Sequence, residues 1–455
     1  MKWMKQALVI TMSALTLSAC IKVDINDGSG SGTGNGDTDD PNVSKVLTGT
    51  IDKSITLLKG TYTLRGYVYV NNGATLTIEA GSIVKSDVTE KGALIIERGS
   101  KLIADGKADQ PIIFTSGKAP SERAPGDWGG IILLGKATTN RPTSPAPIIE
   151  GGVNRPYGGT EPGDNSGILR YVRIEFSGIA AEPNSEINGL TCGGVGSGTT
   201  LENIQVSYGA DDGYEFFGGT VNAKNLVSFA AYDDDFDFDF GYTGKIQFAV
   251  SLRDKPSDTD QANGIECDND GTGTTATPLT KPYLSNFTFI GPYDTTGSSA
   301  LHGVSNRWRR SARFILRNSL LIGHRKGGFS LESAGTATDY KSGESQFKNN
   351  IVAVYSKPYI SGDAGALSVI SDAEIKTKAE SEGNLTLASR DAVQLTDPFN
   401  LNAPNFLPKT GSPALSGVDF AGIDSYFTTT TYRGAFGTTN WLQGWASFTP
   451  KSNNY

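Results

Sequence analysis

Apolar and polar residues alternate over short runs at 62–70, 74–79, 93–97, 101–104 and 112–115, and Gly, Asn or Asp separates each run from the next. Alternation of period two marks half-buried strands, and no amphipathic helix intervenes. Between about 186 and 270 the runs fall into a superimposable register: Asn188-Gly-Leu-Thr-Cys192, Asp212-Gly-Tyr-Glu-Phe216, Asp234-Asp-Phe-Asp-Phe238 and Asn263-Gly-Ile-Glu-Cys267, at steps of 24, 22 and 29 residues. A second column precedes the first in each repeat: Val206-Ser207-Tyr208, Val227-Ser228-Phe229 and Val250-Ser251-Leu252. Two strands per step, without helices, predict the coils of a parallel β-helix, each coil pairing with the next about 4.8 Å away. The framework of Leu and Asn that a leucine-rich repeat needs is missing. Residues 371–382 read as one short helix, and Trp441 with Trp445 as the plug of the last coil, because an open β-helix end invites edge pairing.

Composition agrees with an all-β body. The 455 residues include 56 Gly, and the 3 Met all fall within the first 12 positions, so many tight turns are expected and a helical core is not. Length alone would allow several domains, but the repeat makes residues 46–450 one unit, with the last coil and cap at about 395–450. A net charge of −8 argues against a nucleic-acid partner, which would require a basic stripe.

At the amino end, Lys2 and Lys5 precede an apolar run from Ala7 to Leu17, and Leu17-Ser18-Ala19-Cys20 closes it. This is the pattern of a signal peptide over residues 1–19, too short and too interrupted by Thr11, Ser13 and Thr16 for a spanning helix. The closing tetrad resembles the lipobox of bacterial lipoproteins, which implies cleavage before Cys20 and acylation of its thiol, making membrane lipid the first partner. Ile21, where inner-membrane retention would have Asp, resembles outer-membrane sorting. Residues 20–45 are then a flexible lipidated tether, since 24–42 are almost wholly Gly, Ser, Thr, Asn and Asp.

The body resembles the pectin-lyase-like superfamily of single-stranded right-handed parallel β-helices, and within it a group of bacterial envelope lipoproteins. The phrases that carry the resemblance are Gly73-Ala-Thr-Leu-Thr-Ile-Glu-Ala-Gly81, Gly126-Asp-Trp-Gly-Gly-Ile131, residues 188–198, Gly411-Ser-Pro-Ala-Leu415 and Tyr432-Arg-Gly-Ala-Phe-Gly437.

Side chains alternate across a strand. Leu190 and Cys192, Tyr214 and Phe216, Phe236 and Phe238, and Ile265 and Cys267 therefore share the core face. Thr191, Glu215, Asp237 and Glu266 form a column on the opposite face, flanked by Asp235, Asp239 and Asp268. Neighbouring carboxylates ~4.8 Å apart repel by ~0.9 kcal/mol even in water. A bound hard cation such as Ca²⁺, protonation at raised pKa or arginines from neighbouring coils would relieve this, and a solvated acidic face is the bland alternative. Glu215, Asp235, Asp237, Asp239, Glu266 and Asp268 are thus candidate metal ligands, with Asp211, Asp233 and Asp270 at adjoining turns. Asn188, Asp212, Asp234 and Asn263 read as a turn ladder in which short polar residues tolerate left-handed backbone. Cys192 and Cys267, ~14 Å apart over three coils, are too distant for a disulfide.

Enzymes of the resembled superfamily often degrade acidic polysaccharides on this face, some with Ca²⁺ and a nearby Arg or Lys as base. The resemblance makes Arg253, Arg307, Arg309 and Arg310 candidates for ligand binding or catalysis, with Trp308 as an exposed platform for sugar rings. Neither the lyase Trp-Ile-Asp-His run nor the ordered polygalacturonase series is present, and His302 and His324 form no triad. The sequence therefore favours a polysaccharide-binding lipoprotein, with a calcium-dependent lyase and a scaffold partner of an outer-membrane transporter as alternatives.

Overall fold

The computed structural model of the chain describes residues 45–182, 185–257 and 261–455; the signal peptide, Cys20 and nearly all of the expected tether lie outside them. The body is a right-handed parallel β-helix. Each coil has three strands, not two. The first face includes Thr75–Ile78, Lys101–Asp105 and the leading halves of Gly167–Glu175, Thr200–Ser207, Asn222–Phe229, Lys245–Leu252 and Tyr283–Ile290. The trailing halves of those long strands build the second face, continued by Leu320–Ile322 and Ile351–Ala353. The third face stacks Leu94–Ile96, Ile131–Leu134, Leu190–Gly193, Tyr214–Phe217, Phe236–Asp239, Ile265–Cys267, Val304–Trp308, Gly327–Leu331 and Lys357–Ser361.

The first face escapes the repeat pattern because it runs into the second across a corner of one residue. That residue is left-handed in coil after coil: Asn203, Asn225 and Asn286 have φ of 53°, 59° and 60°, and Asn tolerates this conformation better than most residues. The left-handed column expected at Asn188, Asp212, Asp234 and Asn263 is not found, since none of the four has a positive φ. They are nonetheless a turn ladder. Asp212 Oδ1 accepts the backbone N–H of Asp234 at 2.8 Å, Asp234 Oδ1 accepts that of Asn263, and Asn263 Oδ1 accepts that of Val304 at 3.1 Å. Each short side chain ties its turn to the next coil.

Within the solenoid the inward residues of the third face, Leu190, Cys192, Tyr214, Phe216, Phe236, Phe238, Ile265 and Cys267, are completely buried. Successive aromatics stack, with Tyr214 on Phe236 at 5.2 Å and Phe216 on Phe238 at 5.3 Å between centroids. Both cysteines are free and buried, three coils apart in register.

Helices Ala334–Ser342, Ala364–Leu367 and Asp372–Ser381 pack on the late coils. The last of these is the helix expected at 371–382. Ser371 accepts from the backbone of Glu374, whose carboxylate accepts in return from the Ser371 N–H at 2.8 Å, a complete capping box. Ser371→Ala should weaken this helix by about 1 kcal/mol, measurable as faster amide exchange over 372–381; exchange unchanged from the parent would show that tertiary packing alone holds the helix.

The expected last coil at 395–450 is not a coil. Leu395–Asp397 and Asn405–Pro408 form an antiparallel pair, and the chain then returns along the second face. Asn318, Gln247 and Gln205 hold the backbone of Asp419, Thr428 and Ser447, each by bonds to both N–H and C=O. Side-chain amides thus satisfy an irregular segment that has no alternation to support a strand. Trp441 and Trp445 ride on this segment and seal the side wall, Trp445 against Tyr171 at 6.0 Å, so they do not plug the end.

Candidate cation and ligand site

The third face carries the expected column in direct register. Its outward residues run Ile95, Ile132, Thr191, Glu215, Asp237, Glu266, Arg307, Ser330 and Ile360. The acids occupy three consecutive coils, bounded by apolar residues and Thr191 on one side and by Arg307 on the other. This stretch is a covered cleft and not a solvated face: Thr191 is 2% and Glu215 8% exposed. The cover is an excursion between Leu134 and Gly167, whose Ile149, Val153 and Tyr157 pack on Ile132, Leu134, Ile187 and Phe217. That packing brings Glu150 close to Glu215 and Asn188. Asn188 also donates through Nδ2 to Glu215. Two carboxyl groups brought this close repel, and a proton or a cation between them relieves the repulsion.

The ladder divides into two halves by how its charge is met. Beyond Asp237 the relief is arginine. Arg307 Nη1 lies 2.8 Å from Glu266 Oε2, Arg309 pairs with Glu266 and, at 2.7 Å, with Asp268, and Arg310 holds the other oxygen of Asp268 at 2.7 Å. Glu266 and Asp268 are thereby corrected from metal ligands to salt-bridge partners, and Arg307, Arg309 and Arg310 from ligand or catalytic groups to their counter-ions. The surrounding carboxylates hold the pKa of Arg307 and Arg309 above the ordinary arginine value, against the effect of burial.

Asp235 and Arg253 are also removed from the site. They form a salt bridge of 3.1 Å with side chains 0% and 1% exposed, Asp235 accepting from Ser228 Oγ at 2.9 Å. Arg253 donates further to the carbonyls of Ala231, Asp233 and Asn263. Period-two reasoning put Asp235 outside with Asp237, but the residue stands where the turn enters the strand and its side chain points into the corner. Trp308 is completely buried, stacked on Phe314 at 4.2 Å, so it is no platform. Its alternation places it inward beside the outward Arg307 and Arg309. Both histidines are buried: His302 Nε2 lies 3.0 Å from the Lys255 carbonyl, and burial pushes its pKa down to about 4.

On the other half, carboxylates meet carboxylates. One oxygen from each of Asp212, Glu215 and Asp237 lies within 4.8 Å of the others, and Asp211, Asp212 and Asp233 form a second such triplet that shares Asp212. Burial, and then neighbouring negative charge, raises Asp212, Glu215 and Asp237 well above the usual carboxylate range. Burial and Asp233 push Asp234 up to about 8, and burial likewise carries Glu266 to about 8 despite its arginines. Asp239 is raised by burial and by Asp268 and accepts the backbone N–H of Phe240 at 2.6 Å; it stands outside both triplets. Asp237 Oδ1 and Asn188 Oδ1 are buried without a hydrogen-bond partner. Buried polar oxygens left unpaired are uncommon and costly.

The approach of Glu150 and the place of Asp212 in both triplets were not visible in the sequence. Glu150 arrives on a long non-repeating excursion, and Asp212 reads from the sequence as a turn residue that bonds the next coil.

A right-handed parallel β-helix with an acidic, loop-covered third face defines the class of this protein. A family model described as a pectate-lyase like beta helix domain matches residues 49–391, and the chain belongs to that family. No curated protein and no solved structure matches it. Among the described residues no helix is long and apolar enough to cross a membrane.

Proposed function

We propose that this protein is a cell-envelope lipoprotein, anchored in the outer membrane through acylated Cys20, that binds a polysaccharide on its third face around a Ca²⁺ ion seated between Asp212, Glu215 and Asp237. The observation that carries the reading is the convergence of three carboxylates within 4.8 Å, Asp212 and Glu215 buried and Asp237 half-buried, with Asp237 Oδ1 and the neighbouring Asn188 Oδ1 left without a partner. Oxygens that surround calcium at 2.3–2.6 Å are at most about 5 Å apart, so this spacing fits one ion. The donors are all oxygen, the set a hard cation selects over zinc or copper. Glu150 supplies a further carboxylate from the covering excursion.

Binding is favoured over bond cleavage. β-Elimination requires a base of lowered pKa beside the substrate, whereas Arg307 and Arg309 are held protonated by Glu266 and Asp268. A transporter scaffold would display a broad apolar patch, yet the exposed large aliphatic residues, Leu58, Val88, Ile148, Leu367 and Leu385, are scattered along the chain.

Retention of the mature protein on immobilised polygalacturonate, with Ca²⁺ and with chelator, tests this reading. Ca²⁺ should strengthen retention, and that strengthening should be lost in a Glu215→Gln, Asp237→Asn variant. Release of unsaturated fragments would instead establish a lyase, and retention indifferent to Ca²⁺ would refute the site.

A further inference from the structure

A second surface stands on the same corner of the solenoid. Phe229, Leu252, Ile290, Ile322 and Ala353 are paired in unbroken register at the end of the second face, and each precedes the turn that leads to the third. The acidic turn with Asp233 and Asp234 follows Phe229. Tyr293 follows Ile290, two coils on, and Tyr355 follows Ala353, four coils on, so the two tyrosines lie roughly 10–20 Å along the axis from the acidic turn.

Here the returning chain closes an open pocket of ≈ 330 Å³ whose walls include Tyr293, Arg390, Asp391, Asp397, Phe399 and Lys409. Arg390 sits at its base with a side chain 19% exposed. Its guanidinium carbon is 4.2 Å from the Phe399 ring centroid, 5.0 Å from that of Tyr293 and 5.3 Å from that of Tyr355. It donates to the Tyr293 carbonyl and the Tyr355 hydroxyl, while the Asp391 carboxylate is 3.6 Å away and itself 85% exposed. The arginine therefore works as a staple that fixes three rings, by cation–π attraction and hydrogen bonds. Tyr293 meets Phe399 edge-on at 6.1 Å and remains 55% exposed.

A rigid aromatic face left in water, rimmed by two carboxylates and an ammonium, matches a ligand with an apolar face and a polar edge. A cationic ligand is disfavoured because Arg390 already occupies the cage. We infer that this pocket binds carbohydrate, stacking the C–H face of a pyranose on the exposed Tyr293 ring, which Phe399 holds edge-on, while Asp391, Asp397 and Lys409 take its hydroxyls. The inference rests on the polysaccharide part of the proposed function and is independent of the cation. One glycan chain running along the corner would reach both sites.

Calorimetry of the mature protein with cellohexaose and with hexagalacturonate, each in chelator and in Ca²⁺, separates the two proposals. At least one hexasaccharide should bind in chelator, and Tyr293→Ala and Phe399→Ala should each weaken that binding about tenfold, with circular dichroism unchanged. Leu58→Ser, at an exposed position on an early coil outside both sites, should leave it intact, and any Ca²⁺-dependent increment belongs to the cation site. Absence of binding in chelator, or wild-type affinity in the Tyr293→Ala protein, would overturn the inference even if the cation site stands.

Discussion

Arg253→Met is expected to destabilise the protein by about 3–5 kcal/mol, the range for breaking one side of a buried ion pair. The substitution leaves the fully buried Asp235 facing Ser228 alone. It also strips three carbonyls, those of Ala231, Asp233 and Asn263, of a donor that ties the acidic turn to the coil after it. Chemical denaturation followed by tryptophan fluorescence reads the loss. Adding Asp235→Leu should recover part of it, because the orphaned carboxylate is then gone. A loss below about 1 kcal/mol in the single variant, the level of an exposed pair, would show that the corner is wet and the pair ordinary.

The metal-free protein should lose stability as pH rises from about 4 to about 8. Asp234 stands at about 8 in the folded chain, raised chiefly by burial, and Asp212, Glu215 and Asp237 are raised in the same direction, against ordinary values near 4 once unfolded. Between those limits the folded state binds more protons than the unfolded one, so stability falls with pH. The stabilisation is complete below about pH 4 and is lost as pH passes through 8. The melting temperature in chelator should therefore drop by several degrees between pH 5 and pH 8, and Ca²⁺ should restore it at pH 8, where the carboxylates need a counter-ion. A melting temperature in chelator that is flat or rising over this range would mean that the cluster is already neutralised by other groups.

The fold was largely legible because the third face writes it plainly. The sequence pairs Leu190 with Cys192 and Tyr214 with Phe216 inward, and the register places Thr191, Glu215, Asp237 and Glu266 in one outward column. The first face was hidden for a physical reason: a single left-handed residue such as Asn203 joins it to the second without a turn signal. Period-two reasoning failed at the strand entrance, where Asp235 turns into the corner, and it kept no account of Trp308 as an inward neighbour of Arg307. The arginines themselves sit about 40 residues downstream of the acids they neutralise, a separation that only the coil register brings together. Glu150 lies in an excursion with no repeat at all, so its approach to Glu215 follows from the packing of Ile149, Val153 and Tyr157 and from nothing local.

Calcium calorimetry on the metal-free mature protein tests the central claim most directly. The account predicts a saturable Ca²⁺ site that is abolished in an Asp212→Asn, Glu215→Gln, Asp237→Asn variant and retained in Glu266→Gln, since Glu266 is committed to Arg307 and Arg309. No binding heat, or binding that survives the triple substitution, would contradict it and leave the cluster as a set of carboxyl groups held together by protons.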